Sequence, residues 1–95
     1  MIKRFVKMTF KPEFVTEFTT LFNSKKEFIA AVEGCTHLEL LQDTSNPNVF
    51  FTYSRWKDES YIEAYRHSDL FIDVWAKTKI LFDAKPEAWS LKNVL

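Results

Sequence analysis

The stretch that decides the fold is residues 50–82, FFTYSRWKDESYIEAYRHSDLFIDVWAKTKILF. Its beginning, within residues 49–56, is rich in β-branched and aromatic residues, which predicts a strand. Asp58 is a typical helix N-cap residue, and Ser68-Asp69 predict that a second helix begins after the first. Apolar residues recur in both helices at spacings of three and four, so they lie on one side of each helix. The stretch therefore predicts a strand and two helices whose aromatic residues converge.

The part of the chain before this stretch predicts a strand and a long helix. Apolar and polar residues alternate over residues 2–10, which is typical of a strand with one apolar face. Pro12 is tolerated in a first helical turn, and the apolar positions after it, including Phe28, follow a helical period. The helix is expected to end at Gly34, the only glycine of the chain.

Residues 35–43 predict the next strand. Their alternation places Leu38 on one face and Cys35 and His37 on the other. The loop at 44–48 is short enough to join this strand to the following one as a hairpin.

The last strand is expected at residues 87–94, after Lys85-Pro86 has ended the helical region. The order of elements is then β-α-β-β-α-α-β, in one domain over residues 1–95. This order predicts an α+β, ferredoxin-like protomer, with an antiparallel sheet and helices on one face.

The face of the sheet turned away from the helices is also predicted to be partly apolar. Alternation places large residues on it: Phe5, Leu41, Phe51 and Tyr53. An antiparallel sheet with two partly apolar faces needs a second cover. We therefore expect a homodimer in which two sheets face each other.

Composition limits the classes of function. Thirteen Lys and Arg balance 13 Asp and Glu, and no basic cluster is present, which argues against nucleic-acid binding. The N-terminus lacks the apolar core of a signal peptide, and no run is long enough to span a membrane. With its single Cys35, the chain is expected to be a soluble cytoplasmic protein without a membrane partner. One glycine excludes a glycine-rich phosphate loop, and one cysteine with two separated histidines does not make a standard zinc site.

The candidate functional residues have structural alternatives. Trp56, Tyr65 and Trp75 are candidates for the walls of an aromatic cleft, or they pack in the core. His67 is a candidate proton donor, or it binds free carbonyl groups at a helix end.

Polar residues outside this group also have two interpretations. His37 and Glu39 share a strand face, as a base oriented by a carboxylate or as a polar pair at a dimer face or sheet edge. Arg55 and Arg66 either bind an anionic group or form solvated salt bridges.

Several short motifs, in their order and spacing, resemble those of the antibiotic biosynthesis monooxygenase family. The motifs are GC at 34–35, LELLQD at 38–43, NPN at 46–48, YSRW at 53–56, YRHSDLF at 65–71 and KPEAW at 85–89. The resemblance implies a ferredoxin-like protomer in a dimeric α+β barrel. It also implies oxidation of a small aromatic or quinol-like substrate by O₂, without metal or flavin.

In such an enzyme the deprotonated, electron-rich substrate passes an electron to O₂, and the protein binds, desolvates and orients it. The resemblance makes Tyr65 and His67 candidates for handling the proton. The candidate substrate-binding residues are Ser54, Trp56, Tyr65, Phe71 and Trp75. Quinol-type members commonly carry an acidic residue at the position of Ser54 and a histidine at that of Tyr65.

The same superfamily contains haem-degrading enzymes that use an Asn, a Trp and a His. The corresponding positions here are Val6, Tyr65 and Trp75, so the resemblance disfavours haem as a cofactor. The alternative to an enzyme is a non-catalytic dimeric module that binds a small hydrophobic ligand in a stress-response or regulatory role.

Overall fold

A computed structural model describes residues 1–95 and confirms the predicted order of elements. The strands are β1 (Ile2–Thr9), β2 (Cys35–Gln42), β3 (Val49–Trp56) and β4 (Glu87–Leu91). The helices are α1 (Val15–Ala30), which follows a 3₁₀ turn at Pro12–Phe14, α2 (Glu59–Arg66) and α3 (Asp69–Lys79). None of these helices combines the length and apolar character that a membrane-crossing helix requires.

The strands form one antiparallel sheet in the order β2-β3-β1-β4. β1 pairs with β3 from Ile2, opposite Trp56, to Thr9, opposite Val49. Its other edge pairs with β4. Because each pair of strands joined through helices is separated by one antiparallel strand, the α+β, ferredoxin-like prediction is confirmed.

The caps of α2 and α3 are those that the sequence predicts. The Asp58 carboxylate accepts a hydrogen bond from the Ser60 backbone N–H at 3.0 Å. The Ser68 hydroxyl accepts one from the Phe71 backbone N–H at 3.2 Å. Each cap satisfies a backbone donor that the first helical turn leaves free.

Gly34 lies buried between α1 and β2, with φ at 87°. This left-handed conformation favours glycine, and a Cβ at this position would overlap the ring of Tyr61. The Gly34 carbonyl also accepts a hydrogen bond from the Lys57 backbone N–H at 2.9 Å. The single glycine therefore lets the chain pass close beneath α2.

The prediction that Cys35 and His37 share a face is wrong. Cys35 lies opposite Trp56, and His37 lies opposite Arg55. Trp56 and Arg55 are adjacent on β3, whereas Cys35 and His37 are separated by one residue on β2. Thr36 is the extra residue of this bulge, and its hydroxyl donates to the Arg55 carbonyl at 3.3 Å. The bulge places Cys35 on the helix side of the sheet.

The prediction that Phe28 belongs to the buried stripe of α1 is also wrong. Phe28 is 64% exposed, and its ring lies 6.0 Å from the Lys25 ammonium group. Phe18 and Ile29 define the buried side of the helix. One residue turns an α-helix by about 100°, so Phe28 points away from that side.

Three of the predicted elements are shorter in the structure. α1 ends at Ala30 rather than at Gly34. α3 ends at Lys79, well before Pro86, because the chain turns back towards β1. There the Leu81 carbonyl accepts a hydrogen bond from the Lys11 backbone N–H at 3.1 Å. β4 ends at Leu91, where its pairing with β1 ends.

The core is built from aromatic rings between β1, β3 and α1. Phe10 is fully buried, and its ring centroid lies 4.0 Å from Phe18 and 5.3 Å from Phe82. Phe50 meets Phe18 edge to face at 5.4 Å. Such pairs contribute about 0.5–1.5 kcal/mol each beyond the area that they bury. Packing between aromatic rings thus stabilises the helices against one face of the sheet.

The opposite face, called here the outer face, carries the predicted apolar residues. Phe5 and Tyr53 are direct partners on β1 and β3, and their rings stack at 4.8 Å. Leu41 on β2 and Trp89 on β4 are 41% and 42% exposed. The outer face is therefore an aromatic and aliphatic surface that no helix of the chain covers.

Candidate functional site

A cavity of about 300 Å³ lies between the inward face of the sheet and the helices. Most of the side chains that line it are apolar, and they come from every helix and strand. An apolar cavity of about 150 Å³ is enough to hold benzene, so this cavity has room for roughly two or three fused rings.

A wall of four aromatic rings forms one side of the cavity. The ring centroids of Trp56 and Tyr65 are 5.5 Å apart, those of Tyr65 and Phe71 5.2 Å, and those of Phe71 and Trp75 5.8 Å. β3 positions the first ring, α2 the second and α3 the other two. The structure thus brings together these four predicted residues, which we call the aromatic wall.

Ser54 fixes the indole of Trp56. The two residues are two positions apart on β3 and therefore point to the same side, where Ser54 is 6% and Trp56 2% exposed. The Trp56 Nε1–H donates to the Ser54 Oγ at 2.9 Å. The Ser54 hydroxyl keeps its own proton for a further acceptor in the cavity.

Tyr65 carries a neutral phenol into the cavity. Burial, and after it the nearby Cys35, raises the pKa of Tyr65 to about 12. No hydrogen bond within the chain holds its hydroxyl. At neutral pH Tyr65 can therefore donate a hydrogen bond or a proton to a ligand, but it cannot act as a base.

His67 lies outside the cavity. Its side chain is 75% exposed, and its Nδ1 lies 2.9 Å from the Glu63 carbonyl oxygen and 3.5 Å from the Glu63 carboxylate. His67 therefore occupies the end of α2, which is the structural alternative that the sequence offered. The structure gives no geometric support to a role in handling the substrate's proton.

His37 and Arg55 lie on the outer face. The His37 Nε2 is 2.6 Å from the Glu39 carboxylate, and the His37 ring is 5.5 Å from Tyr53. Arg55 donates a hydrogen bond to the Tyr53 hydroxyl. These residues form a polar cluster around Tyr53, with the sheet between them and the cavity.

Sequence reasoning missed Arg4. It shares the inward face of β1 with Val6 and Met8, and all three line the cavity. Its Nη1 donates to the Ser90 Oγ at 2.9 Å. The alternation of β1 carries the signal, because position 4 falls between the inward apolar residues Ile2 and Val6.

The residues that line the cavity do not include a histidine or a cysteine. The positions compared with haem-degrading enzymes, Val6, Tyr65 and Trp75, all line it. They provide no imidazole for a haem iron. Nowhere in the chain do three or more His, Cys, Asp or Glu side chains gather closely enough to hold a metal ion.

The sheet, the helices on one face and the cavity between them define a small ferredoxin-like domain with a cavity lined by aromatic side chains. The chain belongs to the antibiotic biosynthesis monooxygenase family, whose sequence model matches residues 1–77. This match confirms the resemblance found in the sequence. No curated protein matches the chain.

Solved structures share the fold over nearly the whole chain. A conserved protein from Methanosarcina mazei Go1 is 28% identical, with a TM-score of 0.91 over 96% of this chain and 90% of that one. An antibiotic biosynthesis monooxygenase is 17% identical, with a TM-score of 0.93 over 100% of both chains. Rv0793 from Mycobacterium tuberculosis is 13% identical, with a TM-score of 0.89 over 98% of this chain and 94% of that one.

We predict that a tyrosine ionises near pH 12 in an ultraviolet absorbance titration, because burial raises the pKa of Tyr65 to about 12. The raised pKa favours the neutral phenol in the folded state. Stabilisation from Tyr65 is therefore fully present below pH 10, the ordinary pKa, and is lost as the pH rises towards 12.

Tyr65→Phe should remove this late step, whereas Tyr61→Phe, which removes a phenol outside the cavity, should retain it. Persistence of the late step in Tyr65→Phe would show that the buried phenol is not Tyr65.

Proposed function

We propose that this chain is a cofactor-independent monooxygenase that oxidises a small aromatic or quinol-like substrate with O₂. The observation that supports the proposal most directly is the aromatic wall, which lines a cavity of suitable size in a member of the antibiotic biosynthesis monooxygenase family. A planar substrate with rings and an acidic hydrogen fits such a cavity better than a flexible or strongly polar one does.

The wall suits a planar ligand because two of its rings are nearly parallel. The planes of Phe71 and Trp75 are 10° apart, and those of Trp56 and Tyr65 are 28° apart. Offset stacking on such surfaces favours flat, electron-rich molecules. Within the cavity, the anion of such a substrate exchanges its hydration shell for fixed side chains. Orientation and loss of water are the contributions that a protein makes to this chemistry.

A substrate with an activated CH₂ group shows the balance of the reaction. Transfer of a proton to water gives a carbanion, which passes one electron to O₂, and the two radicals combine to form a C–O bond to a peroxide. Loss of water from the peroxide leaves a C=O group. One oxygen atom enters the product and the other enters water, and all the electrons come from the substrate. The reaction therefore needs no external reductant.

Tyr65 has two roles in this proposal. Its neutral hydroxyl donates a hydrogen bond to the substrate oxygen on which negative charge develops. It then supplies the proton that the peroxide oxygen needs in order to leave as water, and it regains a proton from solvent. Ser54 offers a second donor on the same side of the cavity. Both donors act in a site with little water, where hydrogen bonds to a charged oxygen are strong.

We predict that the protein accelerates O₂ uptake with anthrone above the rate in buffer. Tyr65→Phe should lower kcat by about 10²-fold, because it removes the donor, and should change KM less, because the ring remains. Tyr61→Phe is the matched control, since it removes a hydroxyl outside the cavity and should retain the wild-type rate.

Anthrone that binds without O₂ consumption above the buffer rate would contradict the monooxygenase and favour the non-catalytic binding module. An unchanged kcat in Tyr65→Phe would contradict the role of Tyr65 alone.

We also infer that two copies of the chain pack the outer faces of their sheets together. Phe5 and Tyr53 stack on this face, and Leu41 and Trp89 are 41% and 42% exposed. A contiguous apolar patch that the chain itself leaves uncovered is typical of an interface between proteins. A second copy presents the same surface, as the twofold symmetry of a dimer requires.

We predict a dimer at micromolar concentration in sedimentation equilibrium. Leu41→Lys should weaken association by at least about tenfold, because it places a charge in the interface. Ile72→Lys is the control, since Ile72 is 57% exposed on α3, on the other side of the sheet. A monomeric wild type, or equal weakening by both variants, would contradict the proposed interface.

A further inference from the structure

Arg4 places a permanent positive charge on the inward face of the sheet. β1 lies inside the sheet, between β3 and β4, and the inward residues Val6 and Met8 beside Arg4 line the cavity. Burial is the main cause that lowers the pKa of Arg4 from its ordinary value. Arginine nevertheless stays protonated in proteins, so the charge remains. Partial burial removes water from the guanidinium, and this loss of hydration costs free energy that uncharged neighbours offset only in part.

No carboxylate of the chain pairs with Arg4. The ion pairs of the structure all join other residues, and the guanidinium donates only to the neutral Ser90 hydroxyl, at 2.9 Å. Glu59 and Glu63 act on Arg4 from beyond ion-pair distance, and Glu63 lies against Arg66 instead. The Arg4 guanidinium can therefore form an ion pair with an anion that does not belong to the chain.

Arg66 brings a second positive charge to the same cavity. It is the last residue of α2, next to Tyr65 of the aromatic wall. After burial, repulsion by Arg66 is the next cause that lowers the pKa of Arg4. The pair that Arg66 forms with Glu63, at 3.7 Å, is half exposed and contributes little. A bound anion would relieve the repulsion between the two guanidinium groups.

One acidic residue, Glu87, is among those that line the cavity, but its position opposite Lys7 and two residues before Trp89 turns its side chain to the outer face. Its carboxylate lies 3.9 Å from the Lys7 ammonium group on the neighbouring strand, which offsets its charge. The charged side chains on the cavity side are then those of Arg4 and Arg66. Their sum is positive, which favours an anionic ligand.

We propose that the cavity binds an aromatic carboxylate, with its rings against the aromatic wall and its carboxylate on Arg4 and Arg66. The planar guanidinium presents parallel N–H groups that match the two oxygens of a carboxylate, and partial burial strengthens this pairing. The inference rests on the proposed function for the aromatic part of the ligand and adds the anionic group to it. Arg4 and Arg66 are binding residues in this proposal, because they contact the carboxylate of the ligand.

The test compares two ligands of nearly the same shape, 2-naphthoate and its neutral amide, 2-naphthamide, by isothermal titration calorimetry with the intact protein. The wild type should bind the carboxylate at least about tenfold more tightly than the amide. Arg4→Gln should remove this preference and leave the affinity for the amide within about twofold. Arg66→Gln should reduce the preference less, because Arg66 is more exposed and shares its charge with Glu63.

Two controls separate ligand binding from structure. Lys57→Gln removes one positive charge at an exposed position outside the cavity and should retain the full preference. Ser90→Ala removes only the neutral partner of Arg4 and should also retain it. If Arg4 serves only to hold β4, Ser90→Ala will reproduce the effect of Arg4→Gln. Should Arg4→Gln fail to fold, Arg4→Lys keeps the charge without the planar pair of donors and should retain part of the preference.

Equal wild-type affinity for the two ligands, binding of neither, or a preference that survives Arg4→Gln together with Arg66→Gln overturns the inference. These outcomes are independent of turnover. A protein that prefers 2-naphthoate but does not oxidise anthrone contradicts only the proposed function, whereas turnover of anthrone without the preference contradicts only the anion site.

Discussion

Contacts between aromatic rings connect the core of this protein to its cavity, and the rest of the structure depends on them. The ring centroids of Phe10 and Phe82 are 5.3 Å apart, and those of Phe82 and Trp75 are 5.5 Å apart. Trp75 belongs to the aromatic wall, which continues through α3 and α2 to Trp56 at the end of β3. The rings that hold the helices on the sheet therefore also set the shape of the binding site. A small chain gains both stability and a shaped cavity from the same residues.

Much of the fold could be predicted because local signals determine it. Asp58 and Ser68 cap helices wherever a helix follows them, and Gly34 allows a conformation that other residues resist. The bulge at Thr36 could not be predicted, because it depends on how β2 registers against β3. Phe28 and Ile29 are adjacent, and only packing in the folded chain decides which of the two is buried. Neither the bulge nor the exposure of Phe28 can be predicted from the alternation or period of a single segment.

The same distinction applies to the site. Residues of the aromatic wall could be predicted because their spacing along one strand and two helices directs them to one side. His67 follows Arg66 directly, yet it lies outside the cavity while Arg66 lines it, since one step along a helix end changes direction by about 100°. Arg4 was visible in the alternation of β1, but only the structure shows that its charge has no carboxylate partner. The residues that could pair with Arg4 lie in other segments of the chain, so the pattern of β1 alone does not show whether the charge is paired.

The three tryptophans allow the most direct test of the central claim, that the cavity takes a flat aromatic molecule. Trp56 and Trp75 line the cavity, whereas Trp89 lies on the outer face. The indole N–H signals should be followed by ¹H–¹⁵N NMR, assigned by single Trp→Phe variants, while neutral 2-naphthol is added. We predict saturable shifts for Trp56 and Trp75 and an unchanged signal for Trp89. Shifts confined to Trp89, or no saturable shift at either cavity tryptophan, would contradict the claim.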